Sequence, residues 1–578
     1  MEALKPTLGN SRNRSAAMVG SVGWVWSVLF FLFLWDILLR AQNPGLMADD
    51  SGEFTAASCR LGLPHPPGYP ILCLLGRLTS FLPLGTPAFR LNLLSQALVL
   101  GALWICLKTV RSLLDNGKSE TEVGFFLLAM AFVFVGCRSL FAQCLTAKGC
   151  VYTLTLFWTC LSVWIYRTGE KGGANPNPYL LFFIWALGMA NHWQTHMAWL
   201  PFLGFWVFQN RNWWDGRTIL RTMSFMILGV SPYLYLPLRG RIEPLPFWGE
   251  PTHWPGFQWV LSRRLVAGLE PLSLHLEYYR TFLDQLGMVL GRHWLPGFVL
   301  GMIPGVYFLF IQHRRFLAGI TALLLGVGTA VALVHEAQNT YLVPLYLISL
   351  CGLIWLVGVC GWWGLLGKFR NGRWIILLTA LLIVSAWLDH TYQLEDKSRY
   401  TLADDFAENV LQEIPKKSLF IAEGDHYVMG IWYELYGRGL RPDLVFEPGV
   451  FLLHDWGWRQ IARQDEDWKI LGDTPLFQER LEILLGQPLR HPFFYSLDNI
   501  KLRPALARLP GGWRREGLAY RWVDPKAVRP DGFLRKRLAT ALSKQRFRGR
   551  DPKVDLADPS SGVILDYYRD EYSGKPKE

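Results

Sequence analysis

Long apolar runs, broken at intervals by short basic loops, set the pattern of this chain. A helix needs about 20 apolar residues to cross a hydrocarbon core about 30 Å thick. Runs near that length occupy 22–41, 88–109, 123–142, 150–167, 178–192, 195–210, 218–237, 295–312, 316–335, 341–366 and 373–389, which predicts about 11 spans. Loop charge orients them, because Lys and Arg accumulate on the cytoplasmic side. Lys5, Arg12 and Arg14 precede the first run. Threading the spans then puts Lys108, Arg111 and Lys118; Arg167 and Lys171; Arg211, Arg217 and Arg221; Arg314 and Arg315; and Lys368, Arg370 and Arg373 on that same side. The expected order is a cytoplasmic segment 1–21, a membrane domain 22–389 with outer loops 42–87 and 238–294, and an outer tail 390–578. NPGLMADDSGEF after the first run lacks a small-x-small cleavage pattern, so that run reads as a retained span rather than a signal peptide. The stretch 68–85 carries Arg77, two Pro and three Gly, and reads as an amphipathic helix on the outer surface.

The tail is polar and holds no span. SLFIAE (418–423) and DLVFEP (443–448) read as strands flanking the helix-like VMGIWYELYGRG, a βαβ-like pattern. The fold class expected is a polytopic α-helical membrane protein with a C-terminal soluble α/β domain.

Composition narrows the functions. Charged residues are 18% of 578, against about 25% in soluble proteins, and an average this apolar excludes intrinsic disorder. The net charge of +12 sits largely at the ends of apolar runs, so topology rather than nucleic acid is its cause. The nine Cys form no CxxC pair and none follows position 360, which argues against a disulfide framework or zinc site. No P-loop, GxGxxG after a strand, GxSxG elbow or HExxH occurs, so nucleotide-driven and triad-hydrolase chemistry have no support.

Candidate chemistry gathers in the first outer loop, MADDSGEFTAASCRLGLPHPPGYP. Asp50 and Glu53 have the spacing of a helix N-cap and its third residue, so one reading is a capped surface helix. The other is a carboxylate at the membrane–water boundary, where partial burial suits a general base. Downstream, three prolines stiffen the loop around His65 and Tyr69, and a donor held there suits a phosphate.

DDSGEF…HPPGYP resembles the signature of the "domain of unknown function 2723" membrane proteins, whose vertebrate relatives are transmembrane protein 260-like O-mannosyltransferases. VYTLTLF (151–157), GMANHWQTHMAWLP (188–201), SPYLYLPLRG (231–240), WGEP (248–251) and GDHYVMGIWYELYGRGLRPDLVF (424–446) match in the same order. The resemblance implies a C-type glycosyltransferase fold and a polyprenyl-phosphate sugar donor. It implies catalytic roles for Asp50 and Glu53, and a phosphate contact for His65 just before Pro66-Pro67. One departure stands out: relatives often read Glu-Val-Tyr where this chain has Cys150-Val151-Tyr152, with Lys148 nearby.

Further substrate-binding candidates are Asn191 and His192, with His196, at a turn between spans. His335, Glu336 and Tyr341 lie past the ninth span. Arg239 breaks the positive-inside pattern, as Arg263 and Arg264 do less sharply. Asp425 follows the first tail strand and is placed to cover the site. Asp36 reads as a buried helix–helix partner, and Trp213, Trp214, Trp362 and Trp363 as interfacial belt residues. The expected reaction moves a sugar, with mannose the first candidate, from a polyprenyl-phosphate donor to a hydroxyl of a protein or glycan acceptor by inverting displacement. Asp50 would be the base. Membrane lipid is the other partner, and the short tail fits a bacterial inner membrane. The residues name no cofactor and leave a divalent cation open. A lipid or glycan transporter or flippase, and a degenerate assembly partner, are the alternatives.

Overall fold

The computed structural model describes residues 27–114, 138–171, 178–209, 215–263, 297–333, 353–359, 389–474, 491–497, 512–523 and 559–573, with a few isolated positions between them. Residues 27–41 are helical. Then follow α1 (Ser51–Arg60), α2 (Pro70–Ser80), α3 (Pro87–Leu113), α4 (Arg138–Cys144), α5 (Gly149–Lys171), α6 (Pro178–Met197), α7 (Leu200–Gln209), α8 (Gly216–Val230), α9 (Tyr235–Gly240), α10 (Trp254–Leu261), α11 (Gly297–Gln312) and α12 (Arg314–Leu333). Three described stretches are long and apolar enough to cross a membrane: Pro87–Leu113, Gly149–Gly169 and Gly216–Gly240. Of the other expected spans, 123–142, 341–366 and 373–389 lie mostly outside the described residues, and Leu200–Gln209 has only 10 residues. At 1.5 Å per residue that helix rises about 15 Å, half a hydrocarbon core.

Local chemistry sets the helix starts. Thr86 caps α3 by accepting from Phe89 N–H at 3.1 Å, with Pro87 in the first turn, where its missing N–H costs nothing. Asp215 caps α8 in the same way through Thr218 N–H. Helices 3, 5, 6 and 7 share one apolar core, in which Val99, Leu107, Leu156, Phe182, Phe202 and Trp206 are buried. Small residues allow close approach where lipid offers no hydrophobic drive between helices. At Gly229 a Cβ would lie 2.6 Å from the Ala186 Cβ, so α8 sits directly on α6. The opposite face of α8 exposes Leu220, Ile227 and Leu228, as a lipid-facing surface does. The amphipathic α2 likewise buries Ile71 and Leu72 and exposes Leu74 and Leu78.

The tail folds around a five-stranded sheet: β1 (Leu419–Ala422), β2 (Val445–Pro448), β3 (Phe493–Ser496), β4 (Gly512–Glu516) and β5 (Ala519–Val523), in the order β2-β1-β3-β5-β4. β1 runs parallel to β2 and β3, while β5 is antiparallel to β3 and β4. α13 (Leu402–Glu413), α14 (Asp425–Trp432), α15 (Asp455–Gln464) and α16 (Pro559–Ser573) are among its helices. The strands near 418–423 and 443–448 are therefore present, joined through α14. The period of two along a strand sorts the parallel strands' side chains. Leu419, Ile421, Val445 and Phe493 meet Trp458 and Trp468 on one face. Phe420, Phe446 and Phe494 on the other enter a core that includes Leu46, Met47, Ala56 and Trp248. That second core joins the tail to the first long loop. Polar contacts reinforce it: Leu46 N–H donates to Asp404 at 2.8 Å, Arg459 forks onto Glu250 at 3.1 and 2.7 Å, and Gln460 donates to the Phe247 carbonyl.

Candidate active site

The site is built on α1, a helix of polar composition whose first eight residues are all buried. Burial follows from its neighbours. At Gly52 a Cβ would lie 2.1 Å from the Met429 carbonyl oxygen, so α1 and α14 touch backbone to backbone. The far end of α1 is fastened by Arg239, which donates to the carbonyls of Leu61 at 2.8 Å and Arg60 at 3.0 Å. The Arg239 guanidinium thereby satisfies open carbonyls of a helix C-terminus through Nε and Nη2. A backbone bridge between Leu63 and Phe247 joins the two long loops.

The capping arrangement is not what Asp50 and Glu53 make. Asp50 occupies the N-cap without a side-chain cap bond, and Asp49 instead accepts from Ser51 N–H at 2.9 Å. Both carboxylates have charged partners, and charge-assisted bonds outcompete a neutral cap. Asp50 Oδ2 lies 2.9 Å from Lys148 Nζ. Burial pushes the Asp50 carboxyl up, but Lys148 and His65 together draw it below its ordinary value. Burial works against the Lys148 ammonium, yet Asp50 and Asp49 hold its pKa well above the usual one.

Glu53 is wholly buried and faces the proline-rich loop. One oxygen accepts from His65 N–H at 2.9 Å and the other meets His65 Nδ1 at 2.5 Å. His65 Nε2 in turn lies 3.1 Å from Tyr69 Oη. Burial raises the Glu53 pKa. His65 is also raised: burial opposes its charge, and Glu53 outweighs it. Phe54, Tyr69 and Trp248 pack around the imidazole, with centroids 5.4, 5.1 and 6.2 Å away. His65 is thus clamped at both ring nitrogens.

Three other elements close the site. Arg263 follows α10, anchored where Trp193 Nε1 donates to Leu261 O at 3.0 Å, and its charge favours ionisation at Asp50 and opposes it at His65. Asp425 begins α14 and is exposed; its carboxyl is raised by burial among protein atoms and then by Asp50. The stretch Pro178–Met197 is two helices joined across a kink at His192, whose backbone is extended (φ −151°, ψ 91°). Asn191 and His192 are buried at that break. Asn191 Nδ2 donates to Val151 O at 3.1 Å, while Asn191 Oδ1 and His192 Nδ1 have no hydrogen-bond partner among the described residues. The His192 ring stands 5.7 Å from that of Tyr69.

Asp50, Glu53, His65, Tyr69, His192 and Asp425 thus come together, Arg239 caps a helix elsewhere, and His335, Glu336 and Tyr341 lie outside the described residues. Lys148 and Arg263 are the charged residues that sequence reasoning undervalued. The signal for Lys148 was the one that flagged Arg239, a cation on the side of the membrane that the loop charges leave poor in them. Cys150 is buried and donates its thiol to Leu91 O, so packing explains it, and Lys148 presents the charge.

The donor set does not fit a divalent cation. Asp50 holds an ammonium and both Glu53 oxygens hold His65. Among the described residues a three-donor group occurs at Asp465, Asp467 and His491, which belong to the tail.

Known proteins resemble this chain in sequence and in fold. Residues 50–216 match the family described as the protein O-mannosyl-transferase TMEM260 N-terminal domain, a match that begins at Asp50. The chain is 26% identical over 493 residues to mouse protein O-mannosyl-transferase TMEM260, covering 79% of this chain and 66% of that protein. It is 21% identical over 551 residues to the Dictyostelium discoideum tmem260 protein, covering 82% and 62%. The chain therefore spans slightly under two thirds of the length of these relatives. Among solved structures, ArnT from Cupriavidus metallidurans bound to undecaprenyl phosphate superimposes with a TM-score of 0.52 at 13% identity, over 88% of this chain and 99% of ArnT. That likeness is one of fold. In sequence, this chain is similar to the TMEM260 protein O-mannosyl-transferases.

Proposed function

We propose that this protein is a membrane glycosyltransferase that moves a sugar, mannose as the first candidate, from a polyprenyl-phosphate donor to a protein or glycan hydroxyl. The transfer takes place on the extracytoplasmic face, the periplasmic side of a bacterial inner membrane. The N-terminus is cytoplasmic and the tail lies on the side of the site. The observation that carries this reading is the juxtaposition at α1 of Asp50 and Lys148, 2.9 Å apart and both within the segment that matches the O-mannosyltransferase family, with the charge of Arg263 also favouring the ionised Asp50.

In the reaction the acceptor oxygen bonds to the anomeric carbon as the carbon–oxygen bond to phosphate breaks. The hydroxyl proton passes to Asp50, whose Oδ2 is held by Lys148. The electron pair leaves on the lipid phosphate, whose charge Arg263 stabilises. A single displacement inverts the anomeric centre. Tail residues around Asp425 cover the acceptor side.

The test is incubation of the purified protein with radiolabelled polyprenyl-phosphate sugars. A transferase releases lipid phosphate when acceptor is present. A flippase returns the lipid intact, and an assembly partner leaves it untouched; neither result is compatible with the proposal.

A further inference from the structure

Resting on that reading, we propose that Lys148 is a built-in cation, a positioning residue that keeps Asp50 ionised and makes the site independent of a divalent metal ion. The Lys148 ammonium stands 2.9 Å from Asp50 Oδ2, and both side chains are about four-fifths withdrawn from solvent. The backbone fixes the lysine as well: Lys148 N–H donates to Ser51 Oγ at 3.1 Å, tying its loop to the first turn of α1. Ser51, next to Asp50, thus holds the main chain of the residue whose ammonium Asp50 holds. A metal at Asp50 would sit against this ammonium and would find Glu53 already committed to His65 through both oxygens.

The groups that face Asp50 are Lys148 from the segment before α5, His65 and Tyr69 from the proline-rich loop, Arg263 from beyond α10, Asp425 from α14 and Glu53 from its own helix; Asp49 and Tyr152 act on Lys148. Two cations and a histidine therefore oppose burial and two carboxylates. Removing Lys148 takes away the closest of them, and burial then favours the protonated acid. A base must be ionised to act, so the acid limb of the rate profile moves to higher pH.

Two measurements on the full chain in lipid nanodiscs decide the proposal. In the first, Mn2+ is titrated calorimetrically into wild type and Asp50→Asn. Equal stoichiometry is expected, since any ion taken by Asp465, Asp467 and His491 is common to both; one more ion in wild type overturns the proposal. In the second, polyprenyl-phosphate mannose is turned over with a Ser/Thr-rich peptide. Chelation by EDTA is expected to leave the rate within about twofold. Lys148→Ala is expected to cost about 100-fold and to raise the acid limb, with Lys148→Arg restoring most of both. Loss of activity on chelation that Mn2+ restores, or an unmoved acid limb in a folded Lys148→Ala, overturns it. If wild type transfers nothing, the glycosyltransferase reading fails, while the Mn2+ count still decides the metal question.

Discussion

Asp50 and Glu53 are carboxylates three residues apart on the same turn of one helix, and they do opposite things. Asp50 is about one-fifth exposed, pairs with a lysine, and is pulled below its ordinary pKa. Glu53 has no exposed side-chain surface, pairs with a histidine, and is pushed up. Nothing in the residue type separates them. The partner does, together with the direction in which the helix turns each side chain. At about 100° per residue, three positions leave the two on overlapping but distinct faces. One face meets Lys148. The other meets the HPPGYP loop. The pairing of similar groups in different surroundings gives a site one residue for chemistry and one for holding shape.

This contrast can be broken experimentally. The largest effect is expected at Asp50. Asp50→Asn keeps volume and removes the base, and should lower transfer by about 1,000-fold, within the range of general-base catalysis, with the melting temperature little changed. Equal losses of rate and melting temperature would erase the distinction.

Glu53→Ala should act on stability first. It strands a buried histidine with neither its ion partner nor its backbone clamp, and breaking one side of a buried pair costs about 3–5 kcal/mol. The check is thermal unfolding in nanodiscs, with Glu53→Gln recovering part of the loss.

Asp404 sharpens the comparison, because it shares Glu53's burial without a histidine. Burial raises its carboxyl to about 6, while the Leu46 N–H opposes that. A carboxyl raised on folding binds its proton more tightly in the folded state. Its stabilising contribution is full below its unfolded value of 3.8 and is lost as pH rises to about 6. The tail's attachment to the first loop should therefore weaken across that window. Asp404→Asn should flatten the dependence, an effect on the order of 3 kcal/mol. Melting curves of both proteins from pH 4 to pH 7 measure it.

The smallest effect is expected from Tyr69→Phe. It removes the hydroxyl at His65 Nε2 and should cost about 1 kcal/mol, the net value of one hydrogen bond, with a change in rate below tenfold.

Much of this was legible in the sequence because it is local. Asp50, Glu53, His65 and Tyr69 lie within one loop, so a motif brought them together before any fold did. The strands at 419–422 and 445–448 announced themselves as short apolar runs between turn residues. The partners that separate Asp50 from Glu53 were not local. Lys148 arrives from the start of α5 and Arg263 from the loop after α10, and no spacing rule links either to residue 50. Arg239 shows the converse. Its unusual position drew attention as a phosphate ligand, but two exposed carbonyls at the end of α1 claim it. The break at His192 was legible as the polar Asn-His interrupting an apolar run, but the sequence did not give its geometry, a kink rather than an open turn.

Asp50 as a base takes the proton of the acceptor and does not itself attack the sugar. The anomeric configuration of the product separates these two roles most directly. It is determined by NMR after transfer from a polyprenyl-phosphate sugar of known configuration. Inversion is expected, as a single displacement requires. Retention would mean a covalent intermediate on the enzyme, and would contradict the assignment of Asp50 as general base.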